Sequence, residues 1–127
     1  MDFDNSIPIY LQVIRKIKLD IITGKLNPGD KLPSTRDLAK EINVNPNTAS
    51  RVYKEMEALG LCFKKRGLGT FITESEDIVK TIKDEMASQI IEDFIEGMKK
   101  LGFSYDEMIE IIITKKEKYK NYDQEEK

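Results

Sequence analysis

Residues 34–59 read STRDLAKEINVNPNTASRVYKEMEAL, and two helix starts stand close together inside this stretch. Ser34 suits an N-cap, and Asp37 three residues later completes a short form of capping box. Asn45 suits a second N-cap, with Pro46 at the first helical position, where its missing N–H costs nothing. Leu38, Ala39 and Ile42 give the first helix its apolar face. Ala49, Val52, Tyr53, Met56 and Leu59 follow at i, i+3, i+4, i+7 and i+10, and Gly60 closes the second helix. Two short helices joined across Asn43-Val44-Asn45 have the spacing of a helix-turn-helix.

The flanks extend this motif. Downstream, Leu61-Cys62-Phe63 and Thr70-Phe71-Ile72-Thr73 are short β-prone runs around Lys64-Lys65-Arg66-Gly67-Leu68-Gly69. They predict a hairpin whose tip carries three adjacent positive charges and two glycines, the wing of a winged helix. Upstream, Pro8 fits the first turn of a helix with Tyr10, Ile14, Ile17 and Ile21 on one stripe and Gly24 as its stop. Leu26-Asn27-Pro28-Gly29-Asp30 predicts a turn, and Lys31-Leu32-Pro33 a short extended piece. Tyr10 and Tyr53 fall on apolar faces and are expected in the core. Cys62 is expected to be a small buried hydrophobe rather than a redox sensor.

From Ser75 the character changes. Ile78, Ile82, Met86, Ile90, Phe94 and Met98 recur every four residues, a long helix with a broad apolar face that ends at Gly102. Ser104-Tyr105-Asp106-Glu107 is a full capping box, opening a last helix with Tyr105, Met108, Ile109 and Ile112. The charged tail from Lys115 to Lys127 is expected to fray. The fold class is therefore mainly α with a small β-hairpin. A winged helix-turn-helix over residues 1–73 precedes a two-helix unit with a charged tail over residues 74–127.

Composition narrows the chemistry. The chain has 127 residues, one cysteine and no histidine. That removes a disulfide framework, a Cys-His zinc cluster and the commonest general base. No nucleophile–base pair can be assembled, so neither catalysis, a metal nor a cofactor is expected. No apolar run approaches the ~20 residues that span a bilayer, and MDFDNS carries two acids and no basic n-region, so no signal peptide and a cytoplasmic place are expected. Residues 1–73 carry 12 basic and 8 acidic side chains, a net of +4; residues 74–127 carry 9 and 15, a net of −6. A mildly basic half can approach a polyanion that would repel the acidic half.

The stretch PIYLQVIRKIKLDIITGKLNPGDKLPSTRDLAKEINVNPNTASRVYKEMEALGL, followed by KKRGLGTFI, resembles the DNA-binding domain of the GntR family of bacterial transcription regulators. GDKLPSTRDLA, VNPNTASRVYKEME and RGLGTF are specific together, and the likeness covers residues 8–73. The short, all-helical remainder looks like the YtrA subfamily. The resemblance implies a dimeric repressor of a pseudo-palindromic operator and suggests control of a transporter operon. It also implies a homodimer seam at Ile82, Met86, Ile90, Phe94, Ile109 and Ile112.

Chemistry and resemblance agree on the DNA side. The N-terminal residues of a recognition helix reach base edges, which selects Asn47, Thr48, Ser50 and Arg51. Pro46 and Ser50 stand where some relatives are basic. Arg36 resembles an arginine that relatives place against DNA, while Ser34 and Thr35 sit where helix N–H groups favour a phosphate. Lys64, Lys65 and Arg66 should add phosphate attraction, and Gly67 and Gly69 allow close approach. Read singly, Ser34, Asn45 and Thr48 are also ordinary caps, and Arg36 and Arg51 ordinary solvated charges. Two other functions fit the same chain: a small-molecule sensor with an effector pocket between the last helices, and a winged-helix protein-interaction module. The residues name no effector.

Overall fold

The computed structural model describes residues 1–120. Its elements run α1 (Ile9–Ile22), α2 (Thr35–Ile42), α3 (Pro46–Ala58), β1 (Cys62–Lys65), β2 (Gly69–Ile72), α4 (Glu76–Lys100) and α5 (Tyr105–Lys118). The chain divides into two compact units after Asp84, within α4. Among the described residues, no helix is long and apolar enough to cross a membrane.

In the first unit the apolar stripes meet in one core. Val13, Ile14, Ile17 and Ile21 of α1 are buried, as are Leu38 and Ala39 of α2 and Ala49, Val52, Tyr53 and Met56 of α3. Pro8 stands one position before the first turn, as the N-cap of α1. Ser34 Oγ accepts the Asp37 N–H at 3.1 Å. Only this half of the box forms, since the aspartate is one methylene shorter than the usual glutamate. Asn43 ends α2 in the left-handed conformation, φ 56°, which asparagine tolerates better than other side-chain-bearing residues. Asn45 Oδ1 then accepts the Asn47 N–H at 2.8 Å and starts α3.

The wing differs from the sequence expectation in two ways. β1 and β2 pair antiparallel, with Cys62 opposite Ile72, Phe63 opposite Phe71, Lys64 opposite Thr70 and Lys65 opposite Gly69. Lys64 and Lys65 therefore stand in the strand, and only Arg66, Gly67 and Leu68 form the tip, closed by Leu68 N–H donating to Lys65 O at 2.9 Å. The buried pair Cys62 and Ile72 fixes this register from below. The extended piece before α2 also touches the ribbon, through one isolated bridge and flanking backbone hydrogen bonds. Lys31 bridges Phe71, Leu32 N–H donates to Thr70 O at 2.8 Å, and Ile72 N–H to Asp30 O at 2.8 Å.

Ser75 Oγ accepts the Ile78 N–H at 3.3 Å at the entrance to α4. In the second unit, Gly102 (φ 92°) stops α4, with Phe103 N–H donating to Met98 O at 3.0 Å. Ser104 and Glu107 close the full capping box: Glu107 N–H donates to Ser104 Oγ at 3.1 Å and Ser104 N–H to the Glu107 carboxylate at 3.0 Å. Those bonds hold the Glu107 carboxyl below its ordinary pKa. The expected fraying does not begin at Lys115. α5 continues through Lys118, and Lys115, Lys116 and Lys118 complement the negative end of its dipole. The rest of the charged tail, from residue 121, lies outside the described residues. Met108 is the one buried side chain among the described residues of this unit.

Candidate nucleic-acid interface

Two depressions on the first unit gather most of the expected DNA-facing residues. One is a cleft of about 680 Å³ between the wing and the start of α2. Lys31, Lys64, Lys65 and Arg66 border it, against one acid, Asp37. Ser34, Gly67 and Gly69 lie on its wall. Such an excess of cations around an open cleft attracts a polyanion. The other is a shallow groove of about 400 Å³ where the N-terminal ends of α1 and α3 meet. Ile9 and Tyr10 form one side of it; Asn47, Thr48 and Arg51 form the other.

Local chemistry sets each side chain. With Asn45 and Pro46 fixing the first turn of α3, residues 47, 48 and 51 share one face at i, i+1 and i+4. Asn47 and Arg51 are exposed, while Thr48 and Ser50 are half-buried. Arg36 is exposed on α2 and Thr35 half-buried at its first position, and neither borders the two depressions. At the wing, Phe63, Lys65, Gly69 and Phe71 share one face of the ribbon by strand alternation. The Lys65 ammonium lies 4.9 Å from the Phe71 ring centroid and 5.7 Å from that of Phe63.

Two residues with a bearing on this surface are not legible as such in the sequence. Lys31 lies across Gly69, so near that a Cβ on Gly69 would stand 2.9 Å from Lys31 Cε. No local signal announces this, since it follows from the bridge between the segment before α2 and β2. Tyr10 is expected in the core from its stripe, yet it is only half-buried, and the Arg51 guanidinium lies 3.8 Å above its ring centroid. A hydroxyl-bearing ring in the first turn of α1 is the only hint.

Behind the interface, the Tyr53 hydroxyl donates to Pro33 O at 2.6 Å, and burial pushes its pKa above the ordinary tyrosine range. Burial likewise pushes the Cys62 thiol from 9.0 to about 11, with the nearby Glu57 charge adding to the shift. Cys62 is thus a buried, protonated side chain, its Sγ 3.8 Å from Tyr53 O. Among the described residues, no group of three or more cysteine or carboxylate side chains is placed to hold a metal ion.

Of the six residues expected at the homodimer seam, Ile82 is buried within the first unit. Met86 and Phe94 are half-buried. Ile90, Ile109 and Ile112 keep 55%, 55% and 51% of their surface exposed, and Ile91 and Ile113 are similarly open.

The sequence model for bacterial regulatory proteins of the gntR family matches residues 9–72. The uncharacterized HTH-type transcriptional regulator YhcF of Bacillus subtilis is 46% identical over 112 residues, 88% of this chain and 93% of that protein. The HTH-type transcriptional repressor YtrA of the same organism is 40% identical over 105 residues, 78% of this chain and 81% of that one. A GntR family transcriptional regulator from Listeria monocytogenes has a similar structure. Its TM-score is 0.81 at 38% identity, over 88% of this chain and 98% of that one. The DNA-binding domain of AraR in complex with operator ORX1 matches 53% of this chain and 81% of its own, with TM-score 0.50 and 30% identity.

Proposed function

The chain belongs to the GntR family of bacterial regulatory proteins, and from that premise we propose that it is a homodimeric, sequence-specific repressor that binds a pseudo-palindromic operator. One observation carries the reading. The groove at the start of α3 and the cation-bordered cleft of the wing belong to a single winged helix, whose structural neighbours include the AraR DNA-binding domain in complex with operator ORX1. Asn47 and Arg51 are the base readers in this reading. Asn47 pairs with adenine and Arg51 forks onto guanine, while Thr48 and Ser50 reach bases or phosphates. Lys31, Lys64, Lys65 and Arg66 hold the backbone, and Ser34 and Thr35 offer the N-terminus of α2 to a phosphate. Arg36 joins them from the exposed side of α2.

The second unit supports pairing. With Met108 its one buried side chain among the described residues, it leaves Ile90, Ile109 and Ile112 open to water, and a second copy is the cover this reading assigns to them. Its surplus of acid keeps that part away from the duplex. Repression then follows from occupancy: a dimer seated on its operator obstructs polymerase. Neither a cofactor nor a metal enters the reading.

Selection of bound DNA from a random library is the direct test. A two-fold symmetric consensus with half-sites about one helical turn apart supports the reading. Recovery of DNA without a consensus would defeat it.

A further inference from the structure

We infer that Tyr10 is a positioning residue for DNA reading, because its ring holds the Arg51 guanidinium and so limits where the donors of that group can lie. The inference rests on the reading of Arg51 as a base reader. The Arg51 Cζ lies 3.8 Å above the Tyr10 ring centroid, and the two residues line one groove with Asn47 and Thr48. Among the described residues, no carboxylate lies within ion-pair distance of Arg51.

The choice of partner matters chemically. A carboxylate would occupy the guanidinium edge and offset its charge. An aromatic face attracts the group through its ring quadrupole and leaves the full positive charge without a counter-ion. A free arginine side chain on a helix samples many rotamers, and ordering it on binding costs conformational entropy. Stacking on Tyr10 removes part of that cost beforehand, as preorganisation does for any binding group.

The ring is itself held in place. Val13, Ile14 and Ile17 of α1 are buried, and α1 packs against α3. The entrance to α1 is fastened by Gln12. Its Nε2 donates to Asp4 O at 2.7 Å and Ile7 O at 2.8 Å, and its Oε1 accepts the Asp4 N–H at 2.8 Å. Tyr10 thus stands on a fixed helix rather than on a loose arm.

The test measures base preference at each operator position for the full chain and for Arg51→Ala, Tyr10→Leu, Tyr10→Met and Tyr10→Phe, with thermal denaturation to confirm folding. Arg51→Ala should lose discrimination at one base pair per half-site. Tyr10→Leu and Tyr10→Met should lose about two- to fivefold at that same base pair, the scale of an exposed cation–π contact, with other positions unchanged. Tyr10→Phe keeps the ring and should retain the preference. If Arg51→Ala relaxes a base while both aliphatic variants keep it, the inference falls and the reading of Arg51 stands. A Tyr10→Phe variant as impaired as Tyr10→Leu would mean that the hydroxyl contacts DNA, and uniform weakening on all sequences would mean a backbone role; either overturns positioning. If Arg51→Ala leaves every base preference intact, the reading of Arg51 fails and the role of Tyr10 fails with it.

Discussion

The Tyr53 hydroxyl of α3 donates to the carbonyl of Pro33 at 2.6 Å, one residue before the N-cap of α2. This bond ties the middle of the helix assigned to base reading to the extended segment that borders the wing. Tyr53→Phe keeps the ring and its burial but leaves the Pro33 carbonyl without this donor. The expected loss is about 1 kcal/mol of stability, the ordinary net value of such a bond. Chemical denaturation measures it, and an unchanged midpoint would mean that water replaces the hydroxyl.

The cleft of the wing makes a salt-dependent prediction. Replacing Lys64, Lys65 and Arg66 by alanine should weaken specific and non-specific DNA alike. The slope of log affinity against log salt should fall by about 0.9 for each phosphate that is no longer neutralised. Lys31→Ala should act in the same direction, by about one phosphate per subunit. A salt titration with an unaltered slope would show that this face points away from DNA.

In the proposed reading, assembly depends on the open isoleucines. Ile90→Glu or Ile112→Glu puts a charge at a position the pairing reading covers. Each variant should sediment as a single 14.7 kDa chain, and the unaltered protein should sediment as two. Operator affinity should fall by up to about 10²–10⁴, the usual gain from making a second contact intramolecular. A variant that still pairs would place the seam elsewhere.

Cys62 gives the pH prediction. Folding raises its pKa from 9.0 to about 11, so the folded state holds the thiol proton more tightly than the unfolded chain does. Its contribution to stability is complete below pH 9 and declines as the pH rises through about 11. At neutral pH a thiol reagent should modify the folded protein far more slowly than the denatured one. Equal rates would show that Cys62 is open to solvent.

The legible parts of this fold are those written in short range. Ser34, Asn45 and Ser104 declare helix starts because a cap bond spans two or three residues. The four-residue rhythm from Ile78 to Met98 declares α4 for the same reason. The bond from Leu32 to Thr70 joins segments far apart in the chain, and nothing near Lys31 records it. Lys64 and Lys65 look like turn residues until Cys62 and Ile72 set the register that puts them in a strand. At the interface, residue type and helix position single out Asn47 and Arg51, but the neighbour that braces Arg51 belongs to another helix. Periodicity places Tyr10 on a stripe and cannot say that the stripe ends at an open groove.

The pairing of Lys31 with Phe71 also bears on the order in which the chain folds. A two-stranded ribbon alone is marginal in water. The bridging segment at Lys31 arrives from the far side of α2 and α3, so fastening it to β2 requires closing the chain segment that contains both helices. The wing should therefore be among the last parts to lock, after the helices have collapsed. Once locked, the Leu32 and Ile72 amides should exchange with solvent deuterium together, as one cooperative unit, and more slowly than Leu68 at the tip.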